Sequence, residues 1–301
     1  MSGCDNKRAS KWCLSLLILL GLTVLLVAVK YFTRRVSEPA YDGKSLGEWL
    51  AIYSASESLT TDLAKAEAAE AAVRKIGTNG LPAMLRWIRY KPSSWKYSAN
   101  CVLIRMPVVV RRAFRDRDLE NAYNAKEGFK ILGPTAAPAA SELARIIADP
   151  RSGQAGALAV EALGAMGTNG LPFLLQEIDA RGLNSEGAIG ELVEMQEAGI
   201  DVERAAPVLL QYVPSNGYVA EDAGEILLRL AKRSPALVPL LIRSLDSSNE
   251  MAQLGAIEVL GGIGSRAESS SPTLVKLLNS PEYKVRSAAA NALQRIASQR
   301  E

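Results

Sequence analysis

The chain of 301 residues contains no histidine. That removes the commonest general base, the usual activator of serine and cysteine nucleophiles, and the commonest metal ligand. Cysteine is almost as scarce. Cys4 and Cys13 precede or border an apolar run near the N-terminus, which leaves Cys101 alone in the remainder. No disulfide can form within that remainder, no Cys-x-x-Cys pair is present to hold zinc, and Cys101 reads as a buried core thiol. No metal and no cofactor are expected. Alternating β-branched runs are also missing, which argues against a sheet-based fold. A large excess of one charge is lacking too, the net value being +3. Residues 1–35 hold six basic residues against Asp5 alone, whereas residues 36–301 hold 29 basic and 31 acidic residues. The basic excess therefore belongs to the N-terminal segment, and no nucleic-acid partner is expected.

What is present begins with an unbroken apolar stretch, Cys13 to Val29, extended by Trp12 at one edge and Tyr31-Phe32 at the other. At about 20 residues it is long enough to cross a bilayer. Lys7, Arg8 and Lys11 precede it, and Lys30, Arg34 and Arg35 follow it. No small-residue cleavage site closes the run, so the expectation is an uncleaved anchor over residues 12–32 rather than a removed signal peptide. A short basic tail (1–11) before a large domain favours a single-pass membrane protein with its domain on the exported, periplasmic side. Residues 33–44, with Pro39 and Gly43, read as a linker.

From Ser45 to the end the pattern is helical. Ser45 and Glu48 have the spacing of a capping box, with Trp49 and Leu50 as the apolar face that follows. Glu67 to Ile76 is alanine-rich, with Ala68, Ala72, Val73 and Ile76 placed for one buried stripe. The hexapeptide Gly77-Thr78-Asn79-Gly80-Leu81-Pro82 returns unchanged as Gly167-Thr168-Asn169-Gly170-Leu171-Pro172, each copy between two helical runs. Glycine stops one helix, and proline suits the first turn of the next. Gly133 and Pro138 keep the same interval. Helix ends fall near 133, 167, 199, 232, 264 and 297, giving units of 32 to 34 residues. Regular units of this length mark an array of stacked helical hairpins. The interval from Gly77 to Gly133 is longer by about 23 residues than one such unit, which implies an irregular insertion at about 91–118 containing Pro92 and Pro107.

The last helix, Glu282-Tyr283-Lys284-Val285-Arg286-Ser287-Ala288-Ala289-Ala290-Asn291-Ala292-Leu293, resembles the first helix of bacterial HEAT-like repeats, where a Val-Arg pair precedes an alanine-rich face. Asn249–Gly264 and Asp149–Gly167 look like degenerate copies, so the resemblance covers about residues 62–298. The lead-in from Tyr41 to Leu50 is similar to that of membrane-anchored HEAT-repeat proteins from environmental bacteria. The resemblance implies an all-α fold: a right-handed alpha-solenoid of antiparallel helical hairpins behind an N-terminal transmembrane helix. It implies a scaffold or adaptor rather than an enzyme. HEAT-like repeats also occur in phycobilisome-type lyases and in a class of DNA glycosylases, which keeps an enzymatic alternative open.

Two charged stretches stand out as sites. Residues 86–117 carry nine basic side chains against Asp116 alone, with aromatics among the first of them. Arg86, Trp87, Arg89, Tyr90, Lys91, Trp95, Lys96, Tyr97, Arg111, Arg112 and Arg115 form the candidate partner-binding set. Arginine and aromatic residues are favoured at protein-binding hot spots, and they also suit anionic lipid headgroups. The plainer reading is that the aromatics pack the insertion and the charges are solvated. The second stretch, residues 177–203, is acidic apart from Arg181, and Glu191, Glu194 and Glu197 recur on one helix face. That face is either solvated or meets a basic partner. The expected function is a membrane-anchored scaffold for a protein partner, with an anionic-lipid surface or lyase-type chemistry as alternatives.

Overall fold

The computed structural model describes residues 38–58, 62–91, 117–215, 217–234 and 236–298. The basic tail, the apolar run 12–32, the start of the linker and most of the insertion, Cys101 included, lie outside these residues. Among the described residues no helix is long and apolar enough to cross a membrane.

The end of the expected linker is structured. Ala40–Tyr41 (β1) and Lys44–Ser45 (β2) pair antiparallel around Asp42-Gly43, whose φ values are +47° and +75°. Two successive positive φ angles are what a tight hairpin turn requires, and Asp-Gly is a favoured pair for it. The Trp49 indole N–H donates to the Tyr41 carbonyl at 2.9 Å, and the Lys44 ammonium lies 4.4 Å from the Trp49 ring centre. Helix α1 (Leu46–Ser58) then starts on a capping box. The Ser45 amide donates to Glu48 Oε2 at 2.8 Å, and the Glu48 amide donates to Ser45 Oγ at 3.4 Å.

Helix α2 (Leu63–Ile76) packs back on α1 to form the first hairpin. The stripe that α2 buries is Ala69, Ala72, Val73 and Ile76; Ala68, expected in it, is exposed. The shift is by one position within a run of alanines, where side-chain size gives no phase. Six hairpins follow: α3 (Leu81–Ile88) with α4 (Arg117–Leu132), α5 (Ala140–Ala148) with α6 (Gln154–Ala165), α7 (Leu171–Asp179) with α8 (Ser185–Glu197), α9 (Ala206–Leu209) with α10 (Tyr218–Arg233), α11 (Leu237–Ser244) with α12 (Glu250–Ile263), and α13 (Ser271–Leu277) with α14 (Tyr283–Ser298).

The longer second helices pack one on the next, from α4 through α6, α8, α10 and α12 to α14. Helices α5, α7 and α9 form a second row beside them. Phe129, Leu143, Leu163, Leu174, Leu192 and Ile226 are fully buried between the rows. Each large apolar side chain so removed from water contributes about 1.5–3 kcal/mol. The two rows share one continuous core, which is how hairpins too small to fold alone become stable.

The repeated hexapeptide does its expected work at the turns. Gly77 and Gly167 take φ of +59° and +61°, close a 3-10 turn, and hand the chain to Pro82 and Pro172 in the first turn of α3 and α7. The second glycines differ in their surroundings. A Cβ on Gly80 would meet the Leu46 side chain at 3.0 Å, whereas one on Gly170 would collide with the backbone carbonyl of Leu163. Pro138 departs from the pattern: it lies inside a longer 3-10 stretch, Gly133–Ala139, and α5 begins only at Ala140. Helix α10 ends without glycine, at an extended Ser234.

Candidate partner-binding site

The basic segment begins on α3. Ala83, Met84, Trp87 and Ile88 form its buried face, while Arg86 and Arg89 lie on the outer one. Trp87 is a core residue at 5% exposure and has no ring face to offer a partner. Its spacing from Met84 and Ile88 is the sequence signal for that role. Tyr90 is half-buried, and Lys91 is exposed. Trp95, Lys96, Tyr97, Arg111, Arg112 and Arg115 lie outside the described residues.

Arg89 and Lys91 reach the next hairpin. Arg89 pairs with Glu142 on α5, and Glu142 also holds Arg145 at 2.6 Å. The Lys91 ammonium is 3.3 Å from Asp149, just beyond α5. The Asp149 carboxyl is held below the usual carboxylate range, first by the Arg151 amide that donates to it at 2.9 Å and then by Lys91. Arg89, Lys91, Arg145, Ile146, Asp149, Ser152 and Ala155 line one open depression of about 280 Å³. Arg145 and Ser152 belong to this site although the sequence gives no sign of it, because the next hairpin supplies them.

A second depression, of about 320 Å³, lies on the other flank of α5, between it and α7. Ile147, Ala148, Phe173, Ala180 and Leu183 make it apolar, and Glu177 borders it. Leu183 is 79% exposed at its rim. The Glu177 carboxylate is engaged locally, accepting from the Asn184 amide at 2.9 Å.

The acidic face of α8 divides into three environments. Glu191 is half-buried against Gly164 of α6, where a Cβ would strike its carboxyl group. Burial, then the neighbouring Glu161, pushes the Glu191 carboxyl up to about 7. Glu194 is exposed. Glu197 accepts from Arg229 of α10 at 3.1 Å, and Arg229 also donates to Glu225 at 2.7 Å. Glu161 is held by Lys126 of α4 at 2.7 Å, which raises the Lys126 pKa. Glu191 lines neither depression.

These contacts share one spacing. Lys126 to Glu161, Arg181 to Gln211, Gln196 to the Ile226 carbonyl, Tyr212 to the Ile178 carbonyl, and Arg229 to Glu197 are separated by 30 to 35 residues. That is one repeat, so the polar groups at these positions fix each hairpin on its neighbour. Among the described residues no cluster of His, Cys, Asp and Glu has the arrangement of a metal site.

Residues 206–294, from α9 into α14, match the family of HEAT repeats. No curated protein matches the chain. Among solved structures, a designed armadillo repeat protein is 16% identical, covers 72% of this chain and 99% of its own, and gives a TM-score of 0.30. An engineered protein is 17% identical, with 84% and 96% covered and a TM-score of 0.23. Scores this low have no bearing on function. The matched segment takes in the hairpins α9–α10 and α11–α12 and runs into α13–α14.

Proposed function

We propose that this HEAT-like repeat protein is a membrane-anchored scaffold, wound as a right-handed solenoid, that holds a protein partner and carries out no catalysis of its own. The observation that supports it best is the pair of depressions flanking α5, one cationic and one apolar, both open on the surface. An apolar anchor beside a charged rim is the composition of a protein-binding patch. Stacked hairpins keep such patches at fixed separations, because each repeat is pinned to the next by the polar contacts one unit apart.

The anchor is residues 12–32, supported by their unbroken apolar character and the basic residues on both sides. Its orientation follows from the short basic tail, with the repeat array on the exported side. Lack of catalysis is supported by the complete absence of histidine and by the HEAT-like architecture.

The test is site-specific photo-crosslinking of the full-length protein in its own membranes. A crosslinker at Gln176, exposed on α7 beside the apolar depression, should capture one discrete protein. Changing Leu183 to Asp should abolish the product, while a crosslinker at Lys284 on α14 should not yield it. Equal labelling from both positions would refute a specific site near α5. Carbonate extraction with and without residues 1–35 checks the anchor separately.

A further inference from the structure

We infer that the depression lined by Arg89, Lys91, Arg145 and Ser152 is a binding site for a phosphoryl group. The site stands or falls independently of the scaffold reading, because it concerns a small oxyanion and not the partner that carries it.

Three cations reach it from two hairpins: Arg89 and Lys91 from the end of α3, and Arg145 from α5. Ala155, in the first turn of α6, also lines it. The amides of Ala155 and Gly156 already donate to the Ser152 and Gly153 carbonyls, so the side chains are what a ligand would meet. Ser152, at 4% exposure, lies just ahead of that helix, and its buried hydroxyl has no hydrogen-bond partner among the described residues. An unmatched buried hydroxyl costs about 1–3 kcal/mol, which a ligand oxygen or a trapped water would recover. Water accounts for the hydroxyl alone; it gives no reason for three cations from separate elements to converge beside it.

Glu142 and Asp149 compete for those cations. Glu142 holds Arg89 and Arg145, and Asp149 holds Lys91. The three cations outnumber the two carboxylates, and Arg151 adjoins Asp149. The cationic side chains are also 48%, 52% and 76% exposed, so each existing pair is weak. A doubly charged oxyanion can share these cations without displacing the carboxylates. The geometry favours phosphate over carboxylate. Two guanidinium groups, an ammonium and a hydroxyl belong to the residues that line the depression, which suits three terminal oxygens, whereas a planar carboxylate is satisfied by one guanidinium.

The experiment titrates the full-length protein in neutral detergent with inorganic pyrophosphate, a phosphoserine tripeptide, glycerol 3-phosphate and acetate. Saturable binding of at least one phosphoryl compound, well above acetate, is expected. Arg145→Gln should weaken it about tenfold, as loss of one charge-assisted contact implies, and the double change Arg89→Gln/Lys91→Gln about a hundredfold. Ser152→Ala should weaken it about threefold or more. Arg243→Gln, an exposed change on α11, should leave it unchanged. Circular dichroism of Arg145→Gln, whose side chain is mostly solvated, should match the parent. The best-bound compound distinguishes a free phosphate, a modified side chain and a lipid headgroup as the source. Binding that is absent, matched by acetate, or insensitive to Arg145→Gln overturns the assignment.

Discussion

The carboxyl group of Glu191 rests on Gly164 of the preceding first-row helix, in space that any larger residue at 164 would occupy. Two acidic groups, Glu191 and Glu161, thereby share a partly desolvated seam with Lys126 and Lys130. The Glu191 carboxyl is raised from its ordinary 4.5 to about 7. The folded state holds that proton more tightly than the unfolded chain does. The stabilisation is fully present below pH 4.5 and is lost as the pH rises through about 7. The denaturation midpoint of the parent should therefore be higher at pH 5 than at pH 8. Glu191→Gln should remove most of this difference and stabilise the protein at pH 8 by roughly 1–3 kcal/mol, the lower part being favoured by partial exposure. Gly164→Ala should also flatten the profile, because the methyl group drives a mobile side-chain end into solvent. A profile that stays steep in Glu191→Gln would show that another group is responsible.

The paired glycines of the repeated hexapeptide should respond unequally to the same substitution. Gly170→Ala puts a methyl group against the Leu163 carbonyl, a backbone atom that cannot move alone, and should cost about 3 kcal/mol. Gly80→Ala meets the tip of Leu46, which can turn aside, and should cost about 1 kcal/mol. Urea denaturation of the two variants side by side decides it. Equal losses would mean that the turn itself, rather than its neighbours, sets the requirement.

Gln196 is 2% exposed; its amide donates to the Ile226 carbonyl at 3.1 Å, while its Oε1 has no partner among the described residues. Gln196→Met removes the bond and the unmatched oxygen together. The expected change is within about 1 kcal/mol of zero, in contrast to Gln196→Ala, which also opens a cavity and should cost about 2 kcal/mol. Thermal melts of both variants separate the value of the bond from that of the volume.

The Ser45–Glu48 box closes the entrance to α1. Ser45→Ala should lower stability by about 1 kcal/mol, and Ser45→Asp should retain most of it. Amide hydrogen exchange should show the added opening at residues 46–48 and none in α12.

Local signals in the sequence carried over well. The Ser45–Glu48 box, the glycine stops at 77, 133, 167 and 264, and the 32-to-34-residue unit all depend on neighbours within one turn or one hairpin. The errors have local causes too. Six alanines between 64 and 72 leave the buried stripe undetermined by one position, and Asp42-Gly43 is a hairpin turn inside what composition alone makes a linker. Trp87 belongs to the candidate partner-binding set and equally to the plainer reading of packed aromatics, and its register with Met84 and Ile88 places it in the core. The site was the least legible part. Joining Arg89 and Lys91 to Arg145 and Ser152 requires the docking of one hairpin on the next, and the burial of Glu191 requires a glycine on a different helix. One usable signal was present: Glu197 and Arg229 are opposite charges one repeat apart.

The second row of helices narrows at α9, which has four residues where α7 has nine and α11 eight. The first row stays full-length there, tied across α8 and α10 by Gln196 and by the Glu197–Arg229 pair. The second row is tied across the same point by Tyr212 to the Ile178 carbonyl and by Arg181 to Gln211, so a repeat can lose most of one helix and still keep its hold on the next.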